Sequence, residues 1–421
     1  MPPALDLDEA SELDTQDTLT KIRKEFEIPK HSDGSEQAYF AGNSLGLLPK
    51  RTRIAITRAL DQWGEKGVAG HFDGKEAWYQ LDEEIATLQT DIVGCLPSET
   101  GIMGSLTTNL HMLMASFYRP TAAKKKIIIE PHAFPSDRYA VAAQVEWHGG
   151  EPNNDVIKIE AENPDLITPD DLERTLHNHK NEVCLALLGG VNYYTGQFLD
   201  IPAFASILKS KEITFGLDLA HAVGNVPLKL HDWGIDFASW CTYKYLNAGP
   251  GSIAGYFVNQ EHHDNKDLIR LAGWWGNDPD TRFDMHGQMN FIPRPSADGW
   301  KTSNPSLMAM VPLKESLEIF AFYGMTALRE RSIRLTNYFE KGIKLIESIS
   351  SITPENPEMR GCQVSIRVSG NASKLEKELI NLGIVPDARD PDILRFAPVP
   401  MYSTFVDIAR GIRTLEQLVA N

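Results

Sequence analysis

Short apolar runs alternating with amphipathic stretches limit what this chain can fold into more than any other feature. KKKIIIE (Lys124–Glu130) reads as a buried strand, and SDRYAVAAQVEWHG after it as a helix. VCLALLGGV (Val183–Val191) is another buried strand, with IPAFASILKSK (Ile201–Lys211) as the helix behind it. ITFGLDLA (Ile213–Ala220), IDFASWCTY (Ile235–Tyr243) and GSIAGYFV (Gly251–Val258) follow as strands. This alternation is the signature of α/β packing. The character changes after Asn304. From Pro305 to about Ser351 the pattern is mostly helical, and the tail reads strand, helix, strand, helix, a small α+β unit. We therefore expect an N-terminal segment over 1–40, a large domain over 41–310 and a small one over 311–421. The first segment, with a helix at TLTKIRKEFEI, is expected to pack on the small domain or on a dimer partner.

A chain of 421 residues buries about 75% of its unfolded surface and needs no disulfide or metal staple. Lys and Arg total 41 against 57 Asp and Glu, a formal charge of -16, so no net positive field draws in nucleic acid or an anionic membrane. The N-terminal MPPALDLDEASELDTQD is acidic and lacks the basic and apolar regions of a signal peptide, which predicts a cytoplasmic protein. Thr100–Tyr118 carries no charge, yet Ser105, Thr107, Thr108, Asn109 and His111 make it too polar to face lipid. Cys95, Cys184, Cys241 and Cys362 form no C-x-x-C pair and read as reduced thiols.

Two phosphate fingerprints fail. In GPGSIAG (Gly249–Gly255) the third glycine falls one residue late, and a strand follows where a dinucleotide loop needs a helix. Gly74-Lys75 has Ala69 where a Walker A loop needs glycine. The informative pair is Asp218 and Lys244, each at the C-terminal end of a buried strand, where parallel α/β sheets hold ligands. Taken singly, Asp218 reads better as a strand-end cap or surface residue, and Lys244 as an ordinary surface lysine. Together they suit pyridoxal phosphate chemistry, in which lysine forms a Schiff base and a carboxylate holds the pyridine nitrogen protonated.

LDLAHAVGNVPLKLHDWGIDFASWCTYKYLNAGPG (Leu217–Gly251) closely resembles the core of the kynureninases, fold-type-I pyridoxal phosphate enzymes of the aminotransferase class V superfamily. YFAGNSLGL, SLTTNLHMLMASF, FPSDRYA, GVNYYTGQ, GWWG, SNP and RFAPVPMY match in order, so the likeness spans about residues 39–409. It implies a mostly parallel seven-stranded sheet between helices, plus a smaller α+β C-terminal domain. Lys244 would carry the cofactor and move the substrate's Cα proton, and Asp218 would pair with the pyridinium. Phe134 would stack on the ring, with Asp137 and His221 beside it. Leu106 and Thr107, opening a helix, would hold the phosphate with Tyr243 and Trp274. Where animal relatives place a serine for that phosphate this chain has Gly189, so a backbone N–H or a water takes its place.

For substrate the likeness points to Asn43, Ser44, His71, Asn304 and Arg395, the arginine binding the α-carboxylate through its planar fork. Asn304 would also stand beside the cofactor. Arg360 offers a second carboxylate ligand but reads better as a surface arginine, and His177-His179 and His262-His263 read as exposed stretches, with no metal site expected. The implied reaction is hydrolytic Cβ–Cγ cleavage of L-kynurenine or its 3-hydroxy form to L-alanine and an anthranilate, in tryptophan degradation and NAD biosynthesis. Tyr243 or a phosphate oxygen would activate the water. The fold implies a homodimer in which Trp274 and Asn304 serve the neighbouring subunit. Two rivals stand beside this reading. A cysteine desulfurase needs a reactive thiol, for which Cys362 is the candidate, and a silent scaffold would have no use for Lys244, Asp218 and Arg395 together.

Overall fold

The computed structural model describes residues 5–74, 76–179, 181–284, 286–287 and 289–420. Lys75 of the rejected phosphate loop and the first four residues of the acidic N-terminal stretch lie outside them. Seven strands form the main sheet: β1 (Thr100–Met103), β2 (Lys126–Ile129), β3 (Val156–Lys158), β4 (Val183–Gly189), β5 (Thr214–Asp218), β6 (Phe237–Trp240) and β7 (Ala254–Val258). Their spatial order is β1-β7-β6-β5-β4-β2-β3. Only β7 runs against its neighbours; the pairs from β6 through β3 are parallel.

The sheet is buried on both faces because its strands carry apolar side chains at odd and even positions alike. Ile128, Ala186, Leu188 and Leu217 feed one core, whereas Ile127, Ile129, Leu185 and Leu187 feed the other. That double burial is what the continuous apolar runs anticipate. The five expected strands are all present, each trimmed at its ends. β1 and β3 were not expected; they are the two edges of the sheet, and their short segments leave little apolar signal.

A second, antiparallel sheet comprises β8 (Ser350–Ser351), β9 (Val364–Arg367), β10 (Asp387–Arg389) and β11 (Ile393–Phe396), in the order β10-β11-β9-β8. The helix Leu307–Tyr323, which contains residue 310, buries Met310, Leu313 and Leu317 with the main sheet. The next helix, Met325–Ile343, gives Leu328 to that core and Leu335, Phe339 and Ile343 to the second. The N-terminal segment bridges both: Ile22 and Phe26 enter the first core, Leu5, Ala10 and Phe40 the second. The expected helix at TLTKIRKEFEI is only a short 3-10 segment, Thr20–Glu25. Within it Arg23 turns to Asp407 at 2.8 Å and to Glu36 at 2.8 Å, so tertiary pairing sets its shape. The α-helix of this segment is instead Leu7–Gln16, capped by the Asp6 carboxylate.

A buried ion pair fastens this segment to the rest. Arg331 Nε lies 2.6 Å from Asp17 Oδ2, both side chains about 1% exposed, and Arg331 also donates to the Pro400 carbonyl. Removing Arg331 leaves the buried Asp17 only the half-exposed Arg334 at 3.3 Å. Arg331→Leu should therefore cost roughly 3–5 kcal/mol, whereas Asp17→Leu/Arg331→Leu should recover part of that loss. Thermal unfolding midpoints of the two variants check it.

Candidate active site

Because β2, β4, β5 and β6 are parallel, their C-terminal ends open on one edge of the sheet, where helices leave room for a ligand. Gly189 ends β4 opposite Asp218, which ends β5, and Lys244 follows just beyond β6. A cavity of about 400 Å³ lies over this edge. It is lined by Asn43, Ser44, Leu106, Thr107, Phe134 and Asp137, and by Gly189, Asp218, His221, Tyr243, Lys244 and Arg395. The sheet thus brings together most of the residues singled out from the sequence.

Lys244 Nζ stands 3.0 Å from His221 Nε2 and 5.8 Å from the centroid of the Phe134 ring. Burial and the neighbouring Lys244 ammonium hold the His221 pKa well down, so the imidazole is neutral. Its Nε2 then accepts from Lys244, which leaves the hydrogen on Nδ1, a buried atom with no partner. Asp218 Oδ1 accepts the Ala220 N–H at 2.7 Å. Asp137 is pushed well above the usual carboxylate range by burial and by Asp218, to which it hydrogen-bonds. Burial likewise raises the Tyr243 phenol, which suits a hydrogen-bond donor better than a base.

The helix Leu106–Phe117 starts at this cavity, and its N-cap Ser105 makes no side-chain cap bond. Its first N–H groups and positive dipole end are therefore free for an anion. Thr107 Oγ1, 2.8 Å from Ser136 Oγ, adds a hydroxyl pair. Across the cavity Arg395 is 1% exposed, held by Asp387 at 2.7 Å and by the Tyr193 carbonyl at 2.6 Å. Burial lowers its pKa while Asp387 opposes that shift. Ser44 also donates to Asp387, and Asn43 donates to Gln363 Oε1 at 2.9 Å.

Three expected residues lie elsewhere. His71 and Asn304 line a separate cavity of about 380 Å³ with Trp63, Trp78 and Met308. Trp274 is half-exposed, packed on Trp275 and near Phe283. Conversely, sequence reasoning passed over Glu130, Tyr193 and Arg389, which all line the main cavity. Glu130 directly follows the KIII strand, so its place at the end of a parallel strand was a signal that could have found it. Two readings need correction. Arg360 is buried rather than on the surface, since its guanidinium is taken up by the Pro354 and Glu355 carbonyls and by Asn337. His263 is also buried, bonded to the Val258 carbonyl at 3.0 Å, while His262 pairs with Asp236 at 2.8 Å. Asp236, Glu261 and His262 do bring ligand-type atoms within 4.8 Å of one another, but on a half-exposed surface far along the sheet from Lys244.

This donor set fits pyridoxal phosphate: a lysine, a carboxylate on the adjacent strand, and an uncapped helix start. Buried unpartnered atoms on His221, Glu130 and Asn43 add groups that a bound molecule would satisfy. The solved structures agree on the fold. A C-DES variant with glycine covalently linked to its PLP cofactor superposes with a TM-score of 0.77, at 15% identity over 95% of this chain and 99% of that one. The cysteine desulfurase of Thermococcus onnurineus NA1 gives 0.76 at 16% identity over 95% and 98%. The chain thus has the fold of these enzymes, with a cavity whose donors suit pyridoxal phosphate.

Sequence similarity narrows the class further. The kynureninase of Xanthomonas campestris pv. campestris (strain 8004) is 43% identical over 427 residues, covering 100% of both chains. That of Stenotrophomonas maltophilia (strain K279a) is 42% identical over 410 residues, covering 96% of each. The family model for the kynureninase C-terminal domain matches residues 328–415. The chain belongs to the kynureninase family, pyridoxal-phosphate-dependent hydrolases acting on a carbon–carbon bond of a ketonic substrate.

None of the thiols has the character a desulfurase needs. Cys362 is fully buried and its thiol is pushed up to about 12, chiefly by burial, as is that of the half-buried Cys184. Burial also raises Cys241 and Cys95. Iodoacetamide at neutral pH should accordingly leave the native enzyme's activity intact, with rapid labelling only after denaturation. Activity measured against adducts counted by mass spectrometry checks this.

Proposed function

We propose that the chain hydrolyses the Cβ–Cγ bond of L-kynurenine or 3-hydroxy-L-kynurenine, releasing L-alanine and the matching anthranilate, in the cavity around Lys244. The convergence of Lys244, Asp218 and Arg395 on one cavity, in a chain of this family, carries the reading. Pyridoxal phosphate supplies an electron sink for the bonds at the substrate's Cα and Cβ. The protein does the rest. Lys244 holds the cofactor covalently and, once freed, moves the proton at the substrate's Cα. Asp218 keeps the pyridine nitrogen protonated, and Phe134 and His221 fix the ring between them. The free N–H groups at Leu106 and Thr107 bind the phosphate. Gly189 offers no side chain to it, and Tyr243 serves as a donor. Arg395 orients the α-carboxylate, with Asn43 and Ser44 beside it.

Trp274, His71 and Asn304 lie outside this cavity, and they border an exposed apolar tract. Phe72 and Phe283 are 63% and 55% exposed with ring centroids 6.1 Å apart, and Trp63 and Val68 are 59% and 80% exposed. Such a patch marks a protein contact. It supports a homodimer in which these three residues complete the partner's pocket. The chain then divides into a large unit and a smaller C-terminal one, with the hinge in the helical region after residue 310. A cytoplasmic setting suits the free thiols, and no described helix is long and apolar enough to cross a membrane.

Release of fluorescent anthranilate from each kynurenine tests the reading and ranks the two substrates. Lys244→Ala should lose the visible absorbance of bound cofactor and at least about 10³-fold in kcat. No product from either kynurenine, or absorbance unchanged in that variant, would overturn the proposal. Arg395→Gln should raise KM by roughly 10–100-fold, the worth of a charged hydrogen-bonded pair. Gel filtration is expected at twice the chain's mass, and Phe72→Glu/Phe283→Glu should shift it to the monomer and reduce turnover.

A further inference from the structure

We propose that Glu130 is a positioning residue of the cofactor site, a carboxylic acid seated over Gly189 that donates a hydrogen bond to the bound cofactor. The inference rests on pyridoxal phosphate occupying the Lys244 cavity. Glu130, Gly189 and Asp218 stand at the ends of three neighbouring strands, β2, β4 and β5. Glu130 Oε1 lies 2.8 Å from where a Cβ on Gly189 would sit, so any side chain there would displace the carboxyl from its present place. The Gly189 N–H and the Asn192 side chain hydrogen-bond the carboxyl, and since Oε2 has no partner these bonds fall to Oε1, the oxygen nearer Gly189. Oε2 is buried with no partner, in a residue that lines the cavity.

The charges around it explain why it stays an acid. Glu130 faces Asp218 on β5, and both act on Asp137 of the helix Pro135–Trp147, where Lys244 is the opposing cation. The neutral His221 adds no positive charge to offset them. Three carboxylates cannot all ionise against one ammonium in a buried site. Burial first, and Asp218 second, bring Glu130 up to about 8. With Oε1 engaged as an acceptor, the proton sits on Oε2. Among the described residues no protein acceptor meets it, so its acceptor belongs to whatever fills the cavity.

Gly189→Ala would push the flexible carboxyl off Gly189 and into the open cavity, so the damage falls on cofactor binding and spares the fold. The test is pyridoxal phosphate affinity of the purified full-length apoprotein, by quenching of protein fluorescence, with circular dichroism as the folding control. Glu130→Gln keeps a neutral donor and should bind within about threefold of the parent, whereas Glu130→Ala and Gly189→Ala should each bind about tenfold or more weakly. Because both act through one carboxyl, Glu130→Ala/Gly189→Ala should be no weaker than Glu130→Ala alone.

The sign with pH follows from the raised pKa. The acid's contribution is complete at neutral pH and below and is lost as pH rises through about 8, so the parent's affinity should fall there and that of Glu130→Gln should not. Glu130→Ala binding as tightly as the parent, Glu130→Gln losing as much as Glu130→Ala, or additive losses in the double variant would overturn the assignment. Should Glu130→Ala not fold, Glu130→Gln and Gly189→Ala decide the matter through the pH dependence and the affinity loss. A parent protein that fails to bind pyridoxal phosphate at all would instead sink the reading beneath it.

Discussion

Placing one lysine among buried carboxyls, at the open edge of a parallel sheet, is the constraint on which the rest of the structure depends. An ammonium in such a site needs nearby negative charge, and carboxyls there need a cation or a proton. Asp218 answers the first requirement and Lys244 the second only in part, so burial and Asp218 push Asp137 and Glu130 above the usual carboxylate range. The parallel sheet makes this arrangement affordable. Its strands are covered on both faces by apolar side chains, so the polar groups gather at the strand ends, where the chain leaves the core.

The same edge explains how far the sequence could be read. Continuous apolar runs announced the central strands, because residues buried on both faces must be apolar at every position. β1 and β3 escaped because edge strands of three or four residues carry no such run. Asp218 and Lys244 were legible for a related reason: a charged residue closing an apolar run is out of place unless something there uses it. Glu130 carried the same signature and was passed over, since no partner for it was visible until β4 and β5 were known to lie beside β2. Arg360 and His263 were misjudged because their partners lie outside the short motifs in which they were read. Three acceptors contributed by Asn337, Pro354 and Glu355 let a guanidinium sit in the interior, and nothing in RGCQVSIR records them.

Net charge and local charge also part company here. A chain at -16 ought to repel the anionic phosphate and carboxylate of its ligands. The field that matters is short-ranged, since exposed charges farther than about 8–10 Å are largely screened at physiological salt. Within that radius stand the uncapped start of the helix Leu106–Phe117, Lys244, Arg389 and Arg395. Donors fixed by the backbone and by buried side chains hold their direction without a cost in side-chain entropy, so a few of them outweigh a diffuse surface charge.

Arg395 shows how that direction is set. Its guanidinium is almost wholly buried, a state that is tolerable only if its N–H groups are paired. Asp387 and the Tyr193 carbonyl take up one side of the fork, while Ser44 and Arg389 crowd the same carboxylate. Asp387 comes from β10 and Arg395 from β11 of the second sheet, whereas Tyr193 follows β4 of the first, and Ser44 sits between Ala41, paired with Ala397, and Gly46, which donates to the Tyr243 carbonyl. The arginine therefore points toward the Lys244 cavity only while the two sheets hold their present relation. A ligand carboxylate that binds the free part of the fork joins both sheets through one side chain, so substrate binding and the closeness of the two units are coupled by geometry. That coupling ties the second sheet to the Lys244 cavity, whose remaining lining comes mostly from the strand ends of the main sheet and the helices beside them.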